Sequence, residues 1–373
     1  MKKYLIRSSI FVGLSLLFFL PAFVLLIVTK EAFVNVDKYI KSDEPYLIGY
    51  GMNEENYKYL KWQSIIKRPK NEVMALGSSR VLQFRKEMFT SPFYNAGFTI
   101  QKMKDFLPFI KEIPKEKRPK ILIIGLDQWM FNPNTNKVPS HYISKPHWES
   151  KFIYFPTMNN ISKAWRYITE ERNMLFLRHK GPLKRVGINA SVYNTGFRND
   201  GSKYYGYQIY HLLNEDYEVY DFQFEETIKK IKAGDQNFEY STELDFDAYN
   251  QLYTFLTFCK ENKIHVIGIL PPFAEKVNKE MCDYNYAYIS KIFPRIQPMF
   301  DQLGFESYDF TSMAKHQSND LEMLDGYHGG EKQYLRLLLI MLKEKSILNQ
   351  HCNIPQLEND LENAVNDLKV YLN

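Results

Sequence analysis

A small-residue turn with two serines follows the first short apolar run of the chain. Glu72–Leu76 reads EVMAL and leads directly into the turn GSSR at 77–80. A serine hydroxyl at the end of a buried strand is a candidate nucleophile once a base removes its proton. Ser78 and Ser79 are both candidates at this point.

An acid and a histidine stand three residues apart near the end of the sequence. Asp325-Gly326-Tyr327-His328 opens the last strongly apolar helical pattern. At this spacing a carboxylate on a turn can reach Nδ1 of the histidine and fix its tautomer, as acyl transfer by a serine requires. Backbone N–H groups near Ser79 and Gly97 are candidate donors for the oxyanion.

Alternating strand and helix patterns would bring these groups to one edge of a sheet. Continuous apolar runs predict buried parallel strands at Glu72–Leu76, Phe93–Ala96, Lys120–Gly125, His265–Leu270 and Phe305–Phe310. Helical spacing predicts helices between them, listed here in chain order: Ile100–Ile113, Phe246–Asn262, Asn278–Leu303 with a break near Pro294, and Glu331–Lys345. This alternation predicts an α/β fold whose ligands bind at the carboxyl ends of the strands.

Four motifs follow one another along the chain: the GSSR turn after the first strand, Gly97 after the second, the GLDQ turn after the third, and Asp-x-x-His near the C-terminus. Their order resembles the SGNH/GDSL hydrolase superfamily. The GSSR turn, the N-terminal apolar segment and the long middle insertion are most similar to the membrane-anchored DltD-like and alginate-acetylation-like branches. The resemblance implies a flavodoxin-like three-layer parallel sheet. We expect no cofactor, and no metal either, because the remaining histidines form no pair at ligand spacing and the three cysteines match no metal pattern. It also implies Ser79 as nucleophile, Gly97 as oxyanion donor, Asp325 as orienting acid and His328 as base.

The turn after the third predicted strand departs from the superfamily pattern. It has Asp127 in the run GLDQ at 125–128, where the superfamily offers an asparagine as oxyanion donor. An ionised carboxylate cannot donate a hydrogen bond. Three readings stay open: Asp127 is protonated, it holds a neighbouring loop, or Gln128 donates instead. Arg80, beside the serine, is either a structural cation or a group that binds an anionic substrate.

A charge-free segment lies at the start of the chain. Residues 8–29 read SSIFVGLSLLFFLPAFVLLIVT, long enough to span a bilayer core of about 30 Å. Lys2, Lys3 and Arg7 precede it and favour a cytoplasmic N-terminus. A cleaved signal peptide is the competing interpretation, but the run is longer than such peptides need and no small-residue cleavage site follows it. We expect a retained anchor with the remainder outside the cytoplasm.

Composition bears on disorder and on nucleic-acid binding. Of the 373 residues 45% are hydrophobic, which excludes a wholly disordered chain. The net charge of +5 is too small to predict a nucleic-acid partner. We expect a tail and anchor at 1–30, a stalk or lead-in at 31–70, an α/β domain at 71–345 with an insertion at about 132–245, and a C-terminal helix at 346–373. Within the last segment the helical pattern runs over Gln356–Tyr371. The GFRNDGS stretch at 196–202 either lines the site or forms a surface turn.

Two classes of function are consistent with these sequence patterns. The leading one is an extracytoplasmic serine O-acyltransferase or esterase acting on a cell-envelope polysaccharide or a teichoic-acid-like polymer. The other is a non-catalytic anchored partner that presents polymer or acyl donor to a membrane-bound O-acyltransferase. The resemblance implies both the envelope substrate and that partner enzyme.

Overall fold

The computed structural model describes residues 1–52, 54, 56–137, 156–170, 183–215 and 219–372. The chain divides into two compact units. The first comprises Met1–Leu60, Glu149–Asn199 and Lys203–Tyr207; the second comprises Lys61–Trp148, Asp200–Ser202 and Gln208–Asn373. Part of the predicted insertion at 132–245 lies outside the described residues.

Nine strands, numbered in chain order, form two sheets in the described part of the chain. They are β1 (Tyr46–Ile48), β2 (Val73–Leu76), β3 (Phe93–Ala96), β4 (Ile121–Gly125), β5 (Lys184–Val186), β6 (Thr195–Phe197), β7 (Lys203–Tyr205), β8 (His265–Leu270) and β9 (Glu306–Asp309).

The second unit contains a five-stranded sheet in the order β3-β2-β4-β8-β9, with every neighbouring pair parallel. This is the flavodoxin-like order, in which the chain reverses direction across the sheet beside β2. The five strands that the sequence predicts are confirmed to within one residue at each end. The α/β fold class is therefore confirmed.

Fourteen helices, also numbered in chain order, surround these sheets among the described residues. They are α1 (Lys2–Val28), α2 (Asp37–Ile40), α3 (Asn56–Lys67), α4 (Phe106–Glu112), α5 (Pro133–Lys137), α6 (Met158–Glu170), α7 (Ile188–Val192), α8 (Gly206–Leu213), α9 (Glu225–Ala233), α10 (Phe246–Glu261), α11 (Glu275–Cys282), α12 (Tyr288–Leu303), α13 (Glu331–Lys343) and α14 (Ile354–Glu362).

The parallel sheet is buried on both faces, which explains why its strands read as continuous apolar runs. Alternate side chains of one strand enter different cores: Met74 and Leu76 pack with α4, α10 and α12, whereas Val73 and Ala75 pack with α13. Polar side chains can therefore gather at the ends of the strands, and in sheets of this topology ligands bind at the carboxyl ends.

The predicted break near Pro294 is wrong. The helical stretch is interrupted at 283–287 instead, and α12 runs unbroken through Pro294 and Pro298. Both prolines lie on the exposed side of α12. Water can bind the carbonyls that lose their helical N–H partner there, so the helix continues.

The predicted C-terminal helix over Gln356–Tyr371 is also wrong in its extent, because α14 ends at Glu362. The rest of the tail docks on the start of α13. The Glu331 carboxylate accepts hydrogen bonds from the N–H groups of Val370 and Tyr371, and the Glu331 N–H donates to the Leu368 carbonyl. These contacts hold the tail in a bent, non-helical course, because the N–H groups of Val370 and Tyr371 are bound to Glu331 and not to helical carbonyls.

The first unit has a small mixed sheet in the order β5-β1-β6-β7 and the long apolar helix α1. Its strand β1, together with α2 and the start of α3, belongs to the segment 31–70. That segment is therefore folded structure rather than a plain stalk. α1 spans 27 residues with a mean hydropathy of 2.8 over its most apolar window, of which 11% is buried, so it is long and apolar enough to cross a membrane.

The end of α1 is built into the first unit. Ala22 and Leu26 are fully buried, and they pack with Ile161 and Ala164 of α6. Beyond the helix, the Glu31 carboxylate is 1% exposed and accepts hydrogen bonds from the N–H groups of Gly51, Met52 and Ile188, at 3.1, 2.8 and 2.8 Å. One side chain thus joins the end of α1 to two loops that are distant in sequence.

We expect Glu31→Ala to lower the stability of the first unit by at least about 2 kcal/mol, because three buried N–H donors lose a charged acceptor. Protease sensitivity of the full chain in detergent measures this effect. Glu44→Ala is the matched control, since Glu44 belongs to an exposed ion pair with Lys184 and such pairs contribute little. Equal protease resistance of the two variants would contradict the role given to Glu31.

Candidate active site

Ser79 lies where β2 ends, in the centre of the parallel sheet. It opens a single 3-10 turn, Ser79–Val81, whose preceding residue Ser78 accepts a hydrogen bond from the Arg80 N–H at 3.1 Å. The Ser78 carbonyl accepts from the Phe98 N–H in the loop after β3. These bonds fix the turn from both sides, and Ser79 remains partly exposed.

Asp325 and His328 lie in a tight turn directly before α13. The turn is closed by the Leu324 N–H, which donates to the His328 carbonyl at 2.7 Å. The Asp325 Oδ1 atom accepts hydrogen bonds from the N–H groups of Tyr327 and His328, at 3.0 and 2.8 Å. A carboxylate that accepts from the backbone two and three residues ahead is typical of such turns.

The three predicted side chains meet in one chain of hydrogen bonds. Asp325 Oδ2 lies 2.7 Å from His328 Nδ1, and His328 Nε2 lies 2.7 Å from Ser79 Oγ. An ionised carboxylate only accepts, so the proton of this imidazole belongs on Nδ1 and the lone pair of Nε2 faces the serine. This is the arrangement in which a histidine can take the proton of a serine nucleophile.

Asp325 is suited to remain ionised. Burial alone would raise its pKa, but the attraction of His328 and the hydrogen bonds from the imidazole and two backbone N–H groups bring the pKa below its ordinary value. The carboxylate thus stabilises both the turn and the protonated imidazole that forms during proton transfer. The His328 and Asp325 side chains are only 15% and 11% exposed, which keeps this interaction strong.

Arg80, predicted as either a structural cation or a substrate-binding group, points into the protein and is 1% exposed. Its Nε donates to the Tyr327 carbonyl at 2.9 Å, and its Nη1 donates to Gln128 Oε1 at 2.6 Å. Its Nη2 donates to the carbonyls of Pro271 and Pro272. The guanidinium therefore ties the serine turn to the histidine turn and to the ends of β4 and β8, which is a positioning role.

Asp127 is fully buried and lies beside this guanidinium, with Oδ1 3.8 Å from Arg80 Nη1. Neither carboxylate oxygen has a well-formed hydrogen bond in the described part of the chain. Burial raises the pKa of Asp127, and the nearby Arg80, Ser78 and His328 oppose that rise. Since the other Arg80 acceptors are neutral, Asp127 is the carboxylate that balances the buried charge.

Gln128 does not replace the missing asparagine in this structure. Its side chain is fully buried, and its Nε2 donates to the Pro271 carbonyl at 2.8 Å and to Thr311 Oγ1 at 3.0 Å. Both amide hydrogens are therefore engaged within the protein.

The Gly97 N–H, predicted as an oxyanion donor, is also engaged: it donates to Asn95 Oδ1 at 2.8 Å. Asn95 in turn donates through Nδ2 to the carbonyls of Val81 and Phe84, at 2.7 and 2.9 Å. This buried amide holds the segment after Ser79 against the end of β3. Gly97 can bind an oxyanion only if its N–H leaves Asn95.

Asp221 is a supporting residue that the sequence analysis missed. Its Oδ2 accepts from the Gly326 N–H at 2.9 Å and from Thr227 Oγ1, and its Oδ1 accepts from the Thr227 N–H. Gly326 lies between the acid and the histidine of the candidate triad, so Asp221 fixes their turn from behind. No local pattern marks this acid, because its contact with Gly326 spans 105 residues.

The 196–202 stretch supports β3 through its last three residues. The Asp200 carbonyl accepts from the Asn95 N–H at 2.7 Å, and the buried Lys61 donates to the carbonyls of Asn95 and Gly201. Gly201 has a φ of +81°, and a Cβ there would collide with the Asn95 carbonyl. In the described structure Asp200–Ser202 is thus a buried brace for Asn95.

No protein-family model matches this sequence, and no curated protein matches it. Among solved structures, one match is a gut microbial diltiazem-metabolizing enzyme, with 10% identity and a TM-score of 0.33. The match covers 74% of this chain and 47% of that chain, so the aligned part is about half the length of the enzyme. At this distance the similarity carries no functional argument, and the function has to be argued from the residues of this chain.

We expect Asp127→Asn to lower the stability of the second unit by about 3 kcal/mol and to lower ester hydrolysis with it, because the buried Arg80 loses its counter-ion. Tm and turnover of a small activated ester, measured on one preparation, test this. The double variant Arg80→Gln/Asp127→Asn should be no less stable than Arg80→Gln alone. Asp301→Asn, on the exposed side of α12, is the control that should change neither quantity.

An unchanged Tm for Asp127→Asn would contradict the counter-ion role. Unchanged Tm with reduced turnover would instead mean that the negative charge serves the reaction.

Proposed function

We propose that this chain is a membrane-anchored serine O-acyltransferase or esterase that acts outside the cytoplasm on an acylated cell-envelope polysaccharide or teichoic-acid-like polymer. The observation that carries the proposal is the pair of 2.7 Å contacts joining Asp325, His328 and Ser79. The side chains come from turns 246 residues apart in sequence, and both turns are braced by Arg80. Such a convergence is expected of a catalytic site, since a merely structural turn needs no base beside its serine.

The reaction follows from this geometry. Ser79 Oγ attacks the ester carbonyl while its proton passes to His328 Nε2, and Asp325 stabilises the resulting imidazolium. The imidazolium then protonates the leaving alcohol, and the acyl group stays on Ser79. A sugar hydroxyl or water next gives its proton to Nε2 and attacks the acyl-enzyme, which returns the proton to Ser79. Backbone N–H groups of the Ser79 turn are the proposed donors to the developing oxyanion.

The anchor supports the place of action. Lys2, Lys3 and Arg7 precede the apolar part of α1, which favours a cytoplasmic N-terminus. The burial of Ala22 and Leu26 in the first unit supports retention of the helix, because cleavage after it would remove part of that core. The substrate must then be reachable from the membrane surface, as envelope polymers are.

A non-catalytic anchored partner of a membrane-bound O-acyltransferase is the second candidate. Two observations favour it: Asp127 replaces an expected donor, and the Gly97 N–H is bound to Asn95. A site that keeps the triad but lacks oxyanion donors would bind an acyl group or polymer without efficient turnover, since one such donor contributes about 3 kcal/mol.

We expect Ser79→Ala to abolish labelling by a fluorophosphonate and to reduce ester hydrolysis at least about a thousandfold, because no other group of the turn can form the acyl-enzyme. Ser78→Ala is the matched control and should still be labelled, since its hydroxyl only supports the turn. Labelling of the Ser79→Ala protein would exclude the assignment. A wild-type protein that is never labelled would favour the non-catalytic partner.

We expect protease added to spheroplasts to digest the chain beyond residue 31, because positive residues keep the N-terminus inside. An N-terminal tag should stay protected until lysis. Protection of the whole chain before lysis would reverse the orientation.

A further inference from the structure

The apolar helix α1 has a partner along its last turns, the amphipathic helix α6. The Trp165 Nε1 atom donates to the Phe18 carbonyl at 2.8 Å, and the two rings stack with centroids 6.0 Å apart. Pro21 lacks an N–H and so leaves the Leu17 carbonyl without its helical partner, one residue before the carbonyl that Trp165 contacts. α6 is therefore fixed at a defined height along α1, at the level of Phe18.

This contact at Phe18 conflicts with a hydrocarbon core that extends along α1 as far as Thr29. The exposed face of α6 carries Lys163, Arg166 and Glu170. Charged side chains are costly in hydrocarbon. The stretch from Tyr4 to Pro21 is 18 residues long, about 27 Å at 1.5 Å per residue, and nearly spans a hydrocarbon core. Its one charged residue, Arg7, lies in the first turns, from where a long side chain reaches the cytoplasmic interface. The core boundary then falls near Phe18 and Pro21, and α6 lies beyond it.

The residues of α6 suit the headgroup layer. Trp165 has the amphipathic ring that concentrates at membrane interfaces, and the two cations are suited to anionic headgroups. Arg166 also pairs with Glu170 at 2.7 Å, yet its side chain is 75% exposed. A cavity of about 280 Å³ opens beside them, lined by Gly51, Lys163, Arg166, Tyr167, Glu170 and Tyr193. Its two tyrosines also pack on the apolar cluster that contains Ala22 and Leu26 of α1, so the cavity adjoins the anchor.

We propose that α6 lies in the headgroup layer of the outer leaflet and that Lys163 and Arg166 bind the phosphate of anionic phospholipids. The assignment to the outer leaflet rests on the proposed topology. Charge complementarity and the contact of α6 with α1 single out a lipid rather than a soluble phosphate, because the cavity is held at the membrane surface by the anchor itself.

The full chain reconstituted in vesicles allows a direct test with spin-labelled lipids. We expect the wild type to prefer spin-labelled phosphatidylglycerol over phosphatidylcholine, and Lys163→Gln/Arg166→Gln to lose on the order of tenfold in that preference. Glu170→Gln should strengthen the preference, because it removes the competing carboxylate. Lys115→Gln/Lys117→Gln, on the second unit, is the matched control and should leave it unchanged.

Depth is tested by tryptophan fluorescence of the same vesicles with brominated lipids. The difference between wild type and Trp165→Phe isolates one ring, and it should be quenched most by bromines placed near the headgroup. Strongest quenching by bromines at the chain ends would overturn the proposed depth. An unchanged lipid preference in Lys163→Gln/Arg166→Gln would overturn the phosphate site.

Competition with free inorganic phosphate tests whether the site binds the phosphate of a lipid headgroup or soluble phosphate. Inorganic phosphate should not compete with phosphatidylglycerol at equal concentration, and full competition would overturn the lipid assignment.

Different results would refute the anchor, the enzyme and the lipid site. Release of the chain by alkaline carbonate would refute the anchor, and loss of serine labelling would refute the enzyme. Lys163→Gln/Arg166→Gln should keep wild-type labelling, since neither residue belongs to the triad.

Discussion

The buried guanidinium of Arg80 is the interaction on which the candidate site depends. It is 1% exposed and donates to the carbonyls of Tyr327, Pro271 and Pro272 and to the Gln128 side chain. These four acceptors belong to three segments, the turn before α13 and the ends of β4 and β8, so one rigid planar group sets the distances among them. Arg80 also lies over the rings of Trp129 and Phe273, at 5.0 and 4.5 Å from their centroids, which fixes its plane.

A buried cation requires a counter-ion, and this requirement accounts for Asp127. The carboxylate stands at the end of β4, next to the guanidinium and away from solvent. An ionised carboxylate at this position cannot donate a hydrogen bond, and the Gly97 N–H is bound to Asn95. The candidate site thus has Asp325, His328 and Ser79 joined by hydrogen bonds but few free donors beside them. Under the proposed function this combination favours acyl transfer with slow turnover or presentation of an acyl group.

In the first unit, polar contacts fix the last turns of α1. Glu31 accepts from three N–H groups just beyond the helix, and Trp165 donates to the Phe18 carbonyl within it. The end of α1 is therefore part of a folded unit. If α1 crosses a membrane, as proposed, the charged residues of α6 limit how deeply this end can enter the hydrocarbon.

The sequence by itself determined the strands, the fold class and the candidate triad, because buried parallel strands are continuous apolar runs and the Asp-x-x-His spacing is local. It did not determine the continuity of α12 through Pro294 or the end of α14 at Glu362, since exposure and tail docking decided those. It left three readings for Asp127 and two for Arg80. Only the tertiary structure paired these residues and brought Asp221 to Gly326, because burial and contacts across 105 residues leave no periodic trace in the sequence.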